Sequence, residues 1–323
     1  MVEDICLVLS QTNPSLEGHQ LVWPERGPIE APDWNISSEI LGGFRGFLWG
    51  QGDGVFVDWS PKAKWHVVQV LFEDIVDHQG WVRYPRGEIL FTGPRKEALA
   101  YLQERNGGRP VLGVIAQGYD FETVHVGNYG KAQAGSCGRA IAGDGGSASS
   151  GEGGYSKAGQ GGSASSGNRG EAVTEAYGRA QAGCEGRATT GPKGTAVTGI
   201  NGKSLAGSEG YAHTGHGGTS SVEDGGMATA GICGRAVAGY KGTAIADDGG
   251  IAVAGDGGIA MVGEGGSAQA GHGGMIKIMW HDGIRRRMIL GYIGEEGILP
   301  DTPYVVECGS LVPKGDSKQA PKA

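Results

Sequence analysis

The side chains that could do chemistry are few and scattered. The first 120 residues contain a small set of polar candidates: Arg45, Asp53, Asp58, His66, Glu73 and Asp74. Acid–base catalysis needs such groups within hydrogen-bond reach of one another, and no motif fixes their spacing here. His66 alternates with apolar neighbours in a strand pattern, which predicts a solvent-facing side chain. The sequence therefore predicts no catalytic residues. An enzyme or ligand-binding activity in residues 1–120 stays open as an alternative.

Four aspartates precede Gly-Gly pairs: Asp144, Asp224, Asp248 and Asp256. Calcium-binding repeats place an aspartate in the turn of every nine-residue unit. Here the unit has eight residues and the acid recurs irregularly, so a turn-forming role is the preferred interpretation. The many Gly-x-Gly strings lack the following helix that a dinucleotide fingerprint needs. We predict no metal site and no cofactor.

Five cysteines are spread along the chain: Cys6, Cys137, Cys184, Cys233 and Cys308. They show no Cys-x-x-Cys or Cys/His spacing of the kind that binds zinc. Their placement predicts free thiols in a reducing compartment.

The element that must position most of these groups is an octapeptide repeat. A glycine occupies every eighth residue from Gly130 to Gly274, nineteen times in all. Counting that glycine as position zero, position +2 is Ala in fifteen of eighteen units, and position +4 is Ala, Thr, Ser or Val. Because positions zero, +2 and +4 share one face of a strand, the uniformly small face is predicted to point inward. Glycine at position +5 is predicted to make the corner by adopting positive φ.

A fixed short period is typical of a solenoid. With two octads per coil, the eighteen octads make about nine two-strand coils, roughly 43 Å long at about 4.8 Å per coil. The pattern leaves open the handedness and whether a coil holds two or three octads. The predicted fold is therefore mainly β, a Gly/Ala octad β-solenoid with a small α+β N-terminal domain and a C-terminal β cap.

The segments outside the repeat complete the predicted domains. Residues 1–110 hold six of the seven tryptophans, strand patterns at 65–72, 81–84 and 88–92, and a helix after Pro94. Residues 111–129 supply leading strands that cap the solenoid at 130–274. In the predicted β cap, 275–312, Ile276 and Ile278 replace alanine and close the thin core. Residues 313–323 read as a flexible tail.

Two resemblances follow from these motifs. Residues 46–53 (GFLWGQGD), 58–70 (DWSPKAKWHVVQV) and 291–304 (GYIGEEGILPDTPY) resemble an uncharacterised family common in phages and actinobacteria. That family couples such a domain to Gly-Ala-Thr octads, and it carries no established activity. The glycine spacing also resembles the repeats of bacterial ice-nucleation proteins, which implies sixteen-residue coils with outward Thr-x-Thr rows. Here only five of thirty-six outward positions are Thr, and no unit has Thr at both.

The outward positions suggest where partners would bind. Basic residues at Arg139, Lys157, Arg187, Lys203 and Arg235 share one predicted face, and Glu171 interrupts them. With a net charge of −8, nucleic-acid binding is not expected. The opposite face becomes apolar near its C-terminal end, which predicts a protein-partner or self-association surface. Its predicted members are Met227, Ile245, Ile259 and Met261, and the predicted binding residues also include Ile251 and Val253 nearby.

The best functional prediction is a non-enzymatic structural or interaction protein, a rigid rod that presents its N-terminal domain. A phage or prophage origin fits the first resemblance, with the bacterial cytoplasm or the phage particle as location. No apolar run reaches the roughly 18 residues of a membrane span, and the acidic start lacks a signal-peptide pattern. Two alternatives remain: an enzyme or ligand-binding domain on an oligomerising stalk, and an ice-interacting repeat protein. A small-molecule ligand is left undetermined.

Overall fold

The computed structural model describes residues 5–12, 23–36, 42–52, 56–78 and 80–315. It is mainly β, with 46% strand and 4% helix. The chain divides into two compact units, Met1–Ala116 with His125–Lys131, and Gln117–Val124 with Ala132–Ala323. Asp53 and most of the predicted tail lie outside the described residues.

The first unit contains the strands β1 (Ile5–Thr12), β2 (Gly27–Glu30), β3 (Phe44–Leu48), β4 (Lys64–Leu71), β5 (Val76–Asp77), β6 (Val82–Tyr84) and β7 (Arg86–Gly93), the helix α1 (Arg95–Gln103) and a 3₁₀ turn (Phe72–Asp74). Its seven strands form an antiparallel sheet in the order β2-β7-β4-β1-β3-β6-β5. The strands predicted at 65–72, 81–84 and 88–92 are confirmed as β4, β6 and β7, and the predicted helix is α1. Three buried α1 side chains, Ala98, Leu99 and Leu102, follow helical spacing.

The octads form a β-solenoid of about ten turns, as the period predicts. Each strand pairs in parallel with the strand sixteen residues later, as in Tyr155 with Glu171 and Glu171 with Arg187. A coil therefore holds two octads, which resolves the alternative that the sequence leaves open. Consecutive octads alternate between two twelve-stranded sheets, called here the front sheet and the back sheet.

The front sheet contains β8 (Ile115–Gln117), β10 (Lys131–Gln133), β12 (Ser147–Ser149), β14 (Ser163–Ser166), β16 (Arg179–Ala182), β18 (Thr195–Thr198), β20 (Tyr211–Thr214), β22 (Met227–Ala230), β24 (Thr243–Ala246), β26 (Ile259–Val262), β28 (Met275–His281) and β29 (Arg286–Tyr292). The back sheet contains β9 (Thr123–His125), β11 (Arg139–Ile141), β13 (Tyr155–Ala158), β15 (Glu171–Thr174), β17 (Arg187–Thr189), β19 (Lys203–Ala206), β21 (Thr219–Val222), β23 (Arg235–Ala238), β25 (Ile251–Ala254), β27 (Ser267–Ala270), β30 (Tyr304–Glu307) and β31 (Ser310–Pro313).

The inward face is the small one, as predicted. The alanines at position +2 are essentially inaccessible, among them Ala172, Ala196 and Ala212 at 0% exposure. Three units carry serine there instead. Ser156 and Ser204 each donate a hydrogen bond from the hydroxyl to a carbonyl of the next strand along the chain, those of Ser165 (2.6 Å) and His213 (2.5 Å). A satisfied hydroxyl can therefore replace a methyl group in this core.

The corner differs from the prediction in one respect. Position +5 does not adopt positive φ, and the left-handed residue is the one at position +7. In half of the octads that residue is not glycine: Cys137, Arg169, Tyr177, Glu185, Lys193, Asn201, Glu209, Cys233 and Lys241. The glycine at +5 is required because the corner of the preceding coil approaches it closely. A Cβ on Gly207, for example, would lie 2.7 Å from the Pro192 nitrogen.

The C-terminal cap closes the core with larger side chains, as predicted. Ile276 and Ile278 are buried at 0% and 1% exposure and continue the alanine cluster. β28 pairs in parallel with β26 on one side and antiparallel with β29 on the other. This reversal of strand direction ends the stack of parallel coils.

Candidate interaction surfaces

The predicted apolar residues fall on both sheets of the solenoid. Met227 and Ile259 occupy position +1 of the front sheet, each in register with Thr243 between them. Ile245 and Met261 are direct neighbours at position +3 of the same sheet. These four residues share one outward face, on which Met227 is 41% exposed.

Ile251 and Val253 lie on β25 in the back sheet. Their register partners are Arg235 and Val237 on one side and Ser267 and Gln269 on the other. Since the two sheets have opposite outward faces, this pair cannot join the front-sheet residues in one surface.

The cap enlarges the front-sheet patch with residues that sequence reasoning missed. Met275 follows Ile259 in register and lies directly opposite Tyr292 of β29. On β29, Met288, Leu290 and Tyr292 are 52%, 43% and 48% exposed. The signal in the sequence is their period of two, which places all three on one side of a strand. The combined surface, called here the apolar face, includes Met227, Ile245, Ile259, Met261, Met275, Met288, Leu290 and Tyr292. One cation, Lys277, lies on the same face, in register between Met261 and Leu290.

The back sheet carries the predicted basic residues. Arg187 and Lys203 are neighbours at position +1, and Glu171 directly precedes Arg187 in the same column. The Arg139 guanidinium lies over the ring of Tyr155, 4.7 Å from its centroid. The column therefore mixes cations with an anion and an aromatic ring, and it does not form a continuous basic stripe.

Hydroxyl pairs resembling an ice-interacting array occur in two stacked coils of the front sheet. Ser147 and Ser149 are in register with Ser163 and Ser165. The next strand places Arg179 and Gln181 at the same positions. The regular outward array ends there, after two coils.

The aspartates before the Gly-Gly pairs connect successive coils. The carboxylate of Asp144 accepts a hydrogen bond from the backbone N–H of Gln160, sixteen residues later, at 2.7 Å. Asp224 and Asp256 make the same contact with Tyr240 and His272. Each of these side chains thus caps a backbone donor of the next coil. Within the described ranges, no three His, Cys, Asp or Glu side chains come together as metal ligands would.

In the N-terminal unit the structure separates the polar candidates. Asp74 forms an ion pair with Arg86 (2.9 Å), beside a groove of about 530 Å³ that includes Gln69 and Glu30. Asp58 accepts a hydrogen bond from the backbone N–H of Ser60. Arg45 lies over the ring of Trp81, 4.9 Å from its centroid.

His66 is the exception to the predicted pattern. The prediction that it faces solvent is wrong, since it is only 1% exposed. Its Nε2 lies 2.9 Å from the Thr12 hydroxyl and its Nδ1 lies 2.8 Å from the Thr92 hydroxyl. Trp23 covers the ring at 4.5 Å between centroids. Burial, with a smaller contribution from Lys64, lowers the pKa of His66 from 6.5 to about 4.

A second buried polar pair lies on the same sheet. The hydroxyl groups of Ser10 and Tyr84 are 2.7 Å apart, and both residues are fully buried. Burial raises the pKa of the Tyr84 phenol. Ser10 is directly opposite His66 in the β1–β4 register. The Ser10 hydroxyl and the His66 imidazole are thus buried beside aromatic rings. Among the described residues, the hydrogen-bond partners of the His66 ring are the Thr12 and Thr92 hydroxyls and not a carboxylate.

Taken together, the fold and surfaces define a short-period parallel β-solenoid with two strands per coil and outward faces of mixed character. No family model matches the chain, and no solved structure matches it. No helix in the described part of the chain combines the length and apolarity that crossing a membrane requires.

The curated proteins similar to this chain include bacterial ice nucleation proteins. The ice nucleation protein of Xanthomonas campestris pv. translucens is 30% identical over 119 residues, which is 36% of this chain and 7% of the relative. That of Pseudomonas fluorescens is 32% identical over 107 residues, 32% of this chain and 9% of the relative. InaU of Pantoea ananas is 27% identical over 105 residues. The chain spans about a tenth or less of the length of these relatives, and the similarity is to their repeats.

Proposed function

We propose that this protein is a non-enzymatic rod that presents its N-terminal domain and binds a protein partner through the apolar face. The observation that carries the proposal is the concentration of half-exposed Met, Ile, Leu and Tyr side chains on the last coils and the cap of one sheet. Exposed apolar patches of this kind mark contacts with other chains. The regular coils hold these side chains at fixed spacing, as repeat proteins do on their binding surfaces.

The proposal extends to the origin of the protein and the presentation of its N-terminal domain. A phage or prophage origin, with the bacterial cytoplasm or the phage particle as location, rests on the resemblance of residues 46–53, 58–70 and 291–304.

A charge introduced into the apolar face tests this function. We expect Ile259→Lys/Met261→Lys to lower partner recovery about tenfold or more, because a lysine at the centre of a contact must be desolvated. The full-length protein and the variant serve as baits in the source cells, with bound proteins quantified by mass spectrometry.

The matched control is Ile251→Lys/Val253→Lys, at the equivalent outward positions of a back-sheet strand. It adds the same charge to the same kind of strand, so the partner should still be recovered. Equal recovery by all three baits would contradict a role for the apolar face. Loss with Ile251→Lys/Val253→Lys alone would move the binding site to the back sheet.

Ice interaction is a second candidate function, and the similarity to ice nucleation proteins is the observation that favours it. Binding of ice by such repeats would need a regular hydroxyl array, and only two stacked coils here carry Ser-x-Ser pairs. We therefore expect droplets containing the protein to freeze at the temperature of buffer alone. Freezing several degrees warmer, abolished by Ser163→Tyr/Ser165→Tyr, would instead establish ice interaction as the function.

A further inference from the structure

Three of the five cysteines lie on one edge of the solenoid. The corners that lead from the front sheet to the back sheet form this edge, called here the thiol edge, with the residues at positions +6 and +7 outermost. In chain order its central coils carry Ser136-Cys137, Glu152-Gly153, Asn168-Arg169, Cys184-Glu185, Ile200-Asn201, His216-Gly217 and Ile232-Cys233. Cys137, Cys184 and Cys233 are all exposed free thiols.

These thiols cannot pair within one chain. Cys184 lies three coils from Cys137 and three coils from Cys233, because corners at equivalent positions repeat every sixteen residues. Three coils correspond to about 14 Å, whereas the Cα atoms of a disulfide lie within about 7 Å of each other. The equal spacing also places Cys184 at the midpoint between the other two thiols.

The whole edge shares this mirror-like order. Along position +7 the residues read Cys137, Gly153, Arg169, Glu185, Asn201, Gly217, Cys233. Counted inward from Cys137 or from Cys233, the order is the same: cysteine, then glycine, then a polar residue, with Glu185 at the centre. A two-fold axis brings residue i of one copy against residue j of the other and j against i, so it requires a surface that is self-complementary in this way.

The charges along the edge favour an antiparallel arrangement over a parallel one. A two-fold axis at the coil of Cys184 brings Glu152 of one copy opposite His216 of the other. A parallel arrangement would instead oppose each of Glu152, Arg169 and Glu185 to itself, whereas the antiparallel arrangement opposes only Glu185 to itself, and like charges in contact are unfavourable.

Glycines lie next to both terminal thiols, Cys137 and Cys233. The Sγ atoms of Cys137 and Cys233 lie along the edge, each beside the glycine at position +7 of the next coil. A Cβ added to Gly153 or to Gly249 would lie 3.2 Å from the respective sulfur. On the inner side of each terminal thiol the proposed contact meets a glycine, Gly153 or Gly217, so backbone can approach backbone there.

We propose that the thiol edge is a two-fold interface between two antiparallel copies of this chain. The interface is centred on Cys184 and sets Cys137 of one copy against Cys233 of the other. The contact is non-covalent in reducing conditions. It places three pairs of thiols in register, where a thiol oxidant can join them.

Site-directed cross-linking of the full-length chain tests the arrangement. Diamide accepts the two thiol hydrogens and becomes a hydrazine while one disulfide forms, so each cross-link reports a pair of close sulfurs. All proteins carry Cys308→Ser. One retains only Cys184 on the edge (Cys137→Ser/Cys233→Ser), and a second retains Cys137 and Cys233 (Cys184→Ser). We expect both to give a covalent dimer on non-reducing gels, the second through a Cys137–Cys233 linkage identified by peptide mass spectrometry.

Two matched controls retain a single terminal thiol. Cys184→Ser/Cys233→Ser retains Cys137, and Cys184→Ser/Cys137→Ser retains Cys233. Antiparallel copies keep like terminal thiols about 29 Å apart, so we expect at least tenfold less covalent dimer than with both present. Equal cross-linking of the single-thiol controls would overturn the proposal in favour of a parallel dimer or random collision. Sedimentation of the unmodified chain with reductant present should show a dimer. A protein that stays monomeric at all concentrations up to about 100 µM, which covers even weak association, would also overturn the proposal.

Discussion

Replacing Gly207 with alanine should lower the free energy of unfolding of the solenoid by about 3 kcal/mol. Gly207 is the glycine at position +5 of its octad, and it packs against the corner of the preceding coil. An added Cβ would meet the Pro192 nitrogen at 2.7 Å, the Gly191 carbonyl carbon at 2.8 Å and the Pro192 Cα at 3.0 Å. All three atoms belong to the backbone, so no side-chain rotation can relieve the overlap. The two coils would have to separate and weaken their shared hydrogen bonds, including Gly207 N–H to Thr190 O.

Chemical unfolding followed by far-UV circular dichroism measures this loss, because the solenoid holds most of the strand content. The matched control is Gly161→Asn. Gly161 has φ +65° and open space around its Cα, and Asn201 occupies the same octad position with φ 56°. We expect that control to change stability by less than about 1 kcal/mol, since asparagine tolerates the left-handed conformation. Equal stability of Gly207→Ala and wild type would show that the coils are not packed as closely as described.

Acidification should destabilise the N-terminal unit by about 3 kcal/mol through His66 alone. Folding lowers the pKa of this imidazole from 6.5 to about 4, so the unfolded chain binds more protons between these values. The stabilising contribution of neutral His66 is therefore complete above about pH 6.5. It is lost progressively as the pH falls towards 4. Each pKa unit corresponds to about 1.4 kcal/mol, which gives the expected magnitude.

Tryptophan fluorescence during urea unfolding reports on this unit, since six of the seven tryptophans lie in the first 120 residues. The comparison that isolates His66 is His66→Gln, which keeps hydrogen-bonding capacity towards Thr12 and Thr92 and does not titrate. Carboxylates contribute to both proteins alike, so the difference between the two curves is the measured quantity. If the free energy of unfolding of both proteins fell equally from pH 7 to pH 4, protonation of His66 would make no contribution to the acid destabilisation.

The architecture of the repeat was predictable because it depends on distances along the chain. Glycine at every eighth position and small residues at +2 and +4 define a strand with one restricted face, and a restricted face can only be an interior one. The same reasoning identified Ile276 and Ile278 as the residues that close the core. On the assumption of two octads per coil, it also placed Met227, Ile245, Ile259 and Met261 on one outward face.

Other features depend on which segments become neighbours, and local patterns do not contain that information. The left-handed corner residue could not be chosen from composition, because half of the octads carry a residue other than glycine at position +7. His66 carries the same alternation as a solvent-facing residue, yet Trp23 and two threonines from other strands enclose it. β29 adds Met288, Leu290 and Tyr292 to the apolar face only because the chain reverses after β28.

The sequence by itself thus determined the solenoid, its inward face, its thin alanine core and its cap, because a short period repeats the same local geometry in every unit. Only the tertiary structure decided the sixteen-residue coil. That register alone places Cys137, Cys184 and Cys233 on one edge, divides Ile251 and Val253 from the front-sheet residues and turns Asp144 towards Gln160. Pairing between strands is a non-local choice, made by backbone hydrogen bonds and close packing of whole coils, and no single octad encodes it.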